Sequence, residues 1–180
     1  EAYVRGLQAR AQNGQPLAVA SVASFFVSRV DSLIDKQLEA RLARATDTDE
    51  KQGLESLLGK TAIANSRLVY QKFKEIFSRR AFLDLKDKGA RVQRPLWAST
   101  STKNPKYRDV LYAEELIGCD TVDTMPPATI DAFRDHGQAR NTVDENPAAA
   151  REALNRLRTL GVDLGAITAK LQDDGVASFA

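Results

Sequence analysis

The chain has 180 residues, enough for one domain or for part of a larger one. Hydrophobic residues make up 43% and charged residues 28%, with 26 basic against 24 acidic side chains and a formal net charge of +2. That balance, with the two signs interspersed, gives no footprint for nucleic acid or a charged membrane surface, and no apolar run approaches the ~20 residues that span a bilayer.

In chain order, Glu1 to Leu7 already has helical spacing, without an initiator Met or a cap. Val19 to Val27 reads as the first strand, a nearly continuous apolar run of the kind covered on both faces. Ser32-Leu33-Ile34-Asp35 has the spacing of a capping box and leads into a helix with Ile34, Leu38 and Leu42 on one face. Asp47 to Gly53 is a polar link. A long helix is then predicted from about Leu54 to Phe77, its apolar positions recurring at three- and four-residue steps.

Arg94 to Ala98 is the second strand, and it empties into Ser99-Thr100-Ser101-Thr102-Lys103-Asn104-Pro105. Asn104 suits a helix cap and Pro105 a first helical position, which predicts a helix over 105–117. Asp120 to Met125 is the third strand, ended by Pro126-Pro127, and a helix from Pro127 to His136 stops at Gly137. Asn146-Pro147 opens a helix that ends near Gly161, and Asp163 caps the next. The close, Asp173 to Ala180, reads as a glycine stop followed by the start of another element. Both ends therefore look cut, and truncation at both ends is expected.

Strands separated by helices imply parallel pairing through right-handed crossovers. Three such strands cannot close a barrel, and a (β/α)₈ barrel takes ~250 residues. The fold class expected is α/β, a partial, helix-rich barrel of which this is about the second half. In such a fold the ligand sits at the carboxyl ends of the strands.

Two strand exits carry suitable residues. Ser24 and Arg29 lie at the first, and the Arg29 guanidinium presents a planar fork of donors suited to phosphate. Ser99, its neighbouring hydroxyls and Lys103 lie at the second, beside the predicted helix amino terminus, which favours an anion. Together they make a monophosphate clamp. A surface ion pair of Arg29 with Asp31 or Asp35 is the alternative, and solvated charges after strands are common.

Other chemistry finds less support. Lys103 sits in a polar loop without the desolvation an imine-forming amine needs. Lys60, Lys72 and Lys74 fall on the long helix as a solvated face. His136 is the only histidine and Cys119 the only cysteine, so neither a zinc site nor an internal disulfide can be assembled. A lone cysteine also fits a reducing compartment.

Four segments resemble transaldolase of the long bacterial subfamily: Ser21 to Asp31, Arg94 to Thr100, Lys103-Asn104-Pro105, and Thr121 to Pro126. Gly59 to Asn65 is also similar, and the resemblance keeps its order over essentially the whole chain. It implies a (β/α)₈ barrel with the sixth to eighth strands here, as one domain over 1–180. It also implies transfer of a dihydroxyacetone unit from sedoheptulose 7-phosphate to glyceraldehyde 3-phosphate through a lysine Schiff base. No metal or organic cofactor is implied, and the partners are sugar phosphates.

By the same resemblance, Ser24 lies near the substrate's reacting end, and Arg29 and Ser99 lie on its phosphate. Lys103 matches the family's basic residue only after a small insertion. Asp123 stands where related sequences often have Asn. The family's imine-forming lysine, its acid/base aspartate and a supporting glutamate would all precede Glu1, so this chain alone is expected to be inactive. A cytoplasmic location is implied, as is a possible fusion to a glucose-6-phosphate isomerase domain. The alternatives are a non-catalytic sugar-phosphate-binding module and a structural fragment with no ligand.

Overall fold

The computed structural model describes residues 1–179. After α1 (Ala2–Gln12), β1 (Ser21–Phe26) runs into α2 (Ser28–Leu42), followed by α3 (Thr48–Glu55), α4 (Thr61–Phe77) and α5 (Arg80–Lys86). Then come β2 (Gln93–Ala98), α6 (Leu111–Glu115), β3 (Val122–Asp123), α7 (Pro127–His136), α8 (Pro147–Thr159) and α9 (Leu164–Phe179). The class is α/β, rich in helix. The three strands form one parallel sheet in the order β1-β2-β3, with Ser24 opposite Leu96 and Leu96 opposite Val122.

The two sheet faces differ. Phe25 and Trp97 are register partners on the helix side, with ring centroids 6.0 Å apart. Trp97 is 1% exposed, joins a core that includes Ile34, Leu38, Leu54 and Leu157, and donates its indole N–H to the Leu116 carbonyl at 2.9 Å. A smaller cluster of Leu7, Leu17, Phe82 and Leu85 fastens α1 to α5. On the opposite face Val22 is 40% and Phe26 47% exposed, with Ser24 exposed between them. The expectation that the first strand is covered on both faces is thus corrected: among the described residues only the helix side is packed.

Several element boundaries also change. Helix α2 begins at Ser28, with Val27 as its N-cap. Ser32 is therefore not a cap: it lies inside the helix, and its hydroxyl donates to the Ser28 carbonyl at 2.8 Å. The single helix expected from Leu54 to Phe77 is two. Asp47 caps α3 by accepting from the Glu50 amide at 2.8 Å, so most of the supposed polar link is helical. The chain then turns at Gly59, which has φ of 69°, before α4 starts.

Helix α5 has no counterpart among the expected elements, and it buries Phe82 and Leu85. The helix expected over 105–117 shrinks to Leu111–Glu115. The last helix, α9, runs through Gly175 to Phe179, so that glycine is no stop. The third strand, expected over Asp120–Met125, keeps only Val122–Asp123. Helix α7 spans Pro127–His136, with Gly137 as its C-cap. Asn146 caps α8 through the Ala149 amide at 3.0 Å, and Asp163 accepts from Gly165 and Ala166 at the start of α9.

Candidate functional site

Parallel pairing brings the exits of β1 and β2 to the same end of the sheet, and the backbone bonds them together. The Val27 amide donates to the Ala98 carbonyl and the Ser28 amide to the Ser99 carbonyl, each at 2.9 Å. The two serine hydroxyls also meet at 2.9 Å. Ser99 holds φ of 58°, a left-handed conformation uncommon for a residue with a side chain. Strain of this sort is kept only where surroundings over-determine it, and here the double link to buried Ser28 does so.

The hydroxyl run does not act as one group. Thr100 is fully buried and donates to Asp123 at 2.7 Å, tying the β2 exit to β3. Burial pushes the Asp123 carboxyl up to about 6, against the lowering effect of the Thr100 hydroxyl and the Thr124 amide. The Thr102 hydroxyl donates to the Arg108 carbonyl at 2.7 Å. Lys103 is exposed, and its ammonium donates to the Ser101 hydroxyl at 2.8 Å. Asn104 accepts from the Lys106 amide at 3.0 Å, which closes a local turn and caps no helix. The expected convergence of four hydroxyls and a helix amino terminus is therefore corrected. Of that segment, Lys103 is exposed, and Ser99 is half-buried against Ser28.

Arg29 stands in the first turn of α2, exposed, with its guanidinium carbon 4.7 Å from the centroid of the exposed Phe26 ring. It makes no ion pair with Asp31 or Asp35, so that alternative falls. Those two carboxylates are buried on the opposite side of the helix, 0% and 6% exposed. Asp31 accepts from the Ala62 amide at 2.7 Å, and Asp35 accepts from the Gly59 amide at 3.1 Å and the Tyr107 hydroxyl at 2.7 Å.

Burial pushes the Asp31 carboxyl up to about 7 despite the Ala62 amide, which favours its charged form. Its Oδ2 makes no geometrically sound hydrogen bond, although the Tyr112 hydroxyl lies near enough to favour the charge. Asp35 is raised by burial as well, and Tyr107 is raised by burial and by Asp35. The amides at the start of α4 are thereby occupied by side chains from α2. This carboxylate pair was missed, and its signal was present: Asp31 and Asp35 sit four residues apart, next to the apolar positions Val30, Ile34 and Leu38.

Ser24 lies on the open face, opposite Leu96 and two residues before Phe26. A separate apolar groove of about 300 Å³, lined by Tyr3, Phe25, Phe73 and Phe77 among others, is on the helix side and away from the strand exits. Among the described residues no group of three or more His, Cys, Asp or Glu is placed to hold a metal ion, and no helix is long and apolar enough to cross a membrane.

The family model for transaldolase/fructose-6-phosphate aldolase matches residues 2–180. The chain belongs to that family. A transaldolase of Trichodesmium erythraeum is 44% identical over 181 residues, covering 99% of this chain and 48% of the relative. Transaldolase 2 of a Nostoc strain and a transaldolase of Mycolicibacterium smegmatis are each also 44% identical, with 48% and 47% of their lengths covered. The chain spans about half the length of the curated relatives it matches. Membership in this family accounts for the order of the strand-exit motifs, which the sheet now places side by side.

Proposed function

We propose that the intact protein is a transaldolase acting in the pentose phosphate pathway of the cytoplasm, and that this chain is the C-terminal part of a single (β/α)₈ barrel domain. It transfers a dihydroxyacetone unit from sedoheptulose 7-phosphate to glyceraldehyde 3-phosphate through a lysine Schiff base. The observation that carries this reading is the pair of bonded strand exits, with Arg29 and Ser99 beside an open sheet face, in a chain of this family.

In this reading the open face of Val22, Ser24 and Phe26 looks into the barrel, and the missing strands close over it. Ser24 lies toward the reacting carbons. Arg29, Ser99 and Lys103 hold the phosphate, the arginine through two parallel N–H donors and the lysine as a point charge. In this reading the imine-forming amine is carried by a strand outside this chain, which is consistent with the three strands here containing no lysine. The 180 residues alone then bind phosphate without turnover. An isomerase domain, which the resemblance allows, would be visible in the downstream sequence.

The test is borohydride trapping of the intact protein with sedoheptulose 7-phosphate, alongside an assay of transfer to glyceraldehyde 3-phosphate. Transfer together with a trapped lysine supports the reading. Phosphate-dependent thermal protection without trapping would leave only a sugar-phosphate-binding module, and neither would leave a structural part.

A further inference from the structure

Residues 99–110 form no helix or strand, yet they carry Ser99 and Lys103. At its start the segment is tied to α2 by the Ser28–Ser99 links. At its far end it returns to the same helix: the Tyr107 hydroxyl donates to Asp35 at 2.7 Å. The other Asp35 oxygen takes the Gly59 amide, and the Tyr107 ring lies so close that a Cβ on Gly59 would stand 2.8 Å from it. One turn earlier, Asp31 pins α2 to the Ala62 amide. The helix that carries Arg29 and the segment that carries Lys103 are thus fastened twice, at Ser28–Ser99 and, on the side of α2 away from Arg29, at Asp35–Tyr107.

We propose that Asp35 and Tyr107 are positioning residues, whose hydrogen bond sets the Lys103 segment against the first turn of α2 so that Arg29 and Lys103 share one phosphate. This rests on the reading of those two cations as phosphate ligands. The bond does not touch the ligand. It acts by holding the far end of a segment without regular structure, whose start is held by Ser28–Ser99 and whose remaining ties (Thr100 to Asp123, Thr102 to Arg108) do not reach α2. Preorganisation of this kind reduces the ordering cost at binding. A structural reading competes with it, in which the hydroxyl only satisfies a buried carboxylate.

The two are separated by a double-mutant cycle in the intact protein, with inorganic phosphate titrated calorimetrically. Tyr107→Phe keeps the ring over Gly59 and removes only the hydroxyl. It should weaken phosphate about three- to tenfold, the range expected of one net hydrogen bond. In a Lys103→Met background the same change should have no further effect. KM for the ketose phosphate should rise with kcat nearly unchanged. Should Tyr107→Phe fail to fold, Asp35→Asn, which retains one carbonyl acceptor, enters the same cycle.

Equal losses with and without Lys103, or no loss at all, would overturn the inference and leave the bond as structural. If Lys103→Met and Arg29→Ala themselves leave phosphate affinity unchanged, the phosphate-site reading falls and this inference with it. If those two weaken phosphate and Tyr107→Phe does not, this inference alone falls.

Discussion

The helix side and the open side of the sheet are made from the same three strands and meet opposite fates. On the helix side Trp97 and Phe25 pack against α2, α4 and their neighbours, and the buried Asp31, Asp35 and Thr100 each make at least one hydrogen bond, with only the Asp31 Oδ2 left over among them. On the open side Val22 and Phe26 stand exposed and Arg29 lies over the Phe26 ring. Buried polar groups with partners hold an architecture together, whereas adjacent exposed apolar side chains on one sheet face are a surface that this chain does not cover. The difference separates the face that this chain packs from the face that it leaves open.

The sharpest way to break that contrast is a pair of truncations. Trp97→Ala should destabilise by about 3–5 kcal/mol, because it removes a fully packed side chain and its indole hydrogen bond. Phe26→Ala in the 180-residue chain should stay within about 0.5 kcal/mol, as surface changes do. Urea denaturation of both decides the point. In the intact protein Phe26→Ala should cost measurably more, if further strands cover the open face.

A slightly smaller effect concerns Asp31. Its folded pKa of about 7 lies above the ordinary carboxylate value, so between the two the native state holds more protons than the unfolded state. Stability then falls as pH rises through that window, from about 4 to about 7, and the contribution is fully present only below it. At ~1.36 kcal/mol per unit the loss is at most about 4 kcal/mol. Asp31→Asn should flatten this slope while still accepting from the Ala62 amide. An unchanged pH–stability profile in the variant would mean that Asp31 is ionised throughout.

The turn before α4 supplies the third test. Gly59→Ala combines a left-handed backbone with a Cβ pressed against the Tyr107 ring and should cost about 2–3 kcal/mol. Gly89→Ala also meets a positive φ, of 93°, but faces open space and should cost about 1 kcal/mol. Equal melting temperatures for the two variants would show that the Tyr107 contact is loose.

What could be read from the residues divides along the same line. The strands, α7 and α8 were legible because their signals are local: apolar runs of the right length, Pro at a first helical position, Asn146 at a cap. The break between α3 and α4 was not, because Leu54, Leu58 and Ala62 keep helical spacing across it. The interruption lies at Gly59, whose left-handed turn is held by Asp35 and Tyr107, both distant in sequence. Asn104-Pro105 looks like a helix start, yet the Asn104 side chain closes a turn with Lys106 instead. Of the strand ends, the positions of Arg29 and Ser99 just past β1 and β2 could be inferred, since parallel strands put their exits together, whereas Ser24 lies within β1 on its open face. The single-sided cover of β1 could not, because an apolar run does not say which of its faces this chain will pack.

The central claim, that the β1 and β2 exits hold a sugar phosphate through Arg29, is tested most directly by Arg29→Ala in the intact protein. Its affinity is measured on matched phosphorylated and unphosphorylated ketoses. A charge-assisted hydrogen bond contributes roughly 1.5–3 kcal/mol, so affinity for ketose phosphates should fall about ten- to a hundredfold. Turnover on these substrates should fall somewhat, because binding at the remote phosphate also serves the chemistry. Imine formation with dihydroxyacetone, which has no phosphate, should barely change. Equal losses on both kinds of substrate would contradict the claim and make Arg29 a structural residue.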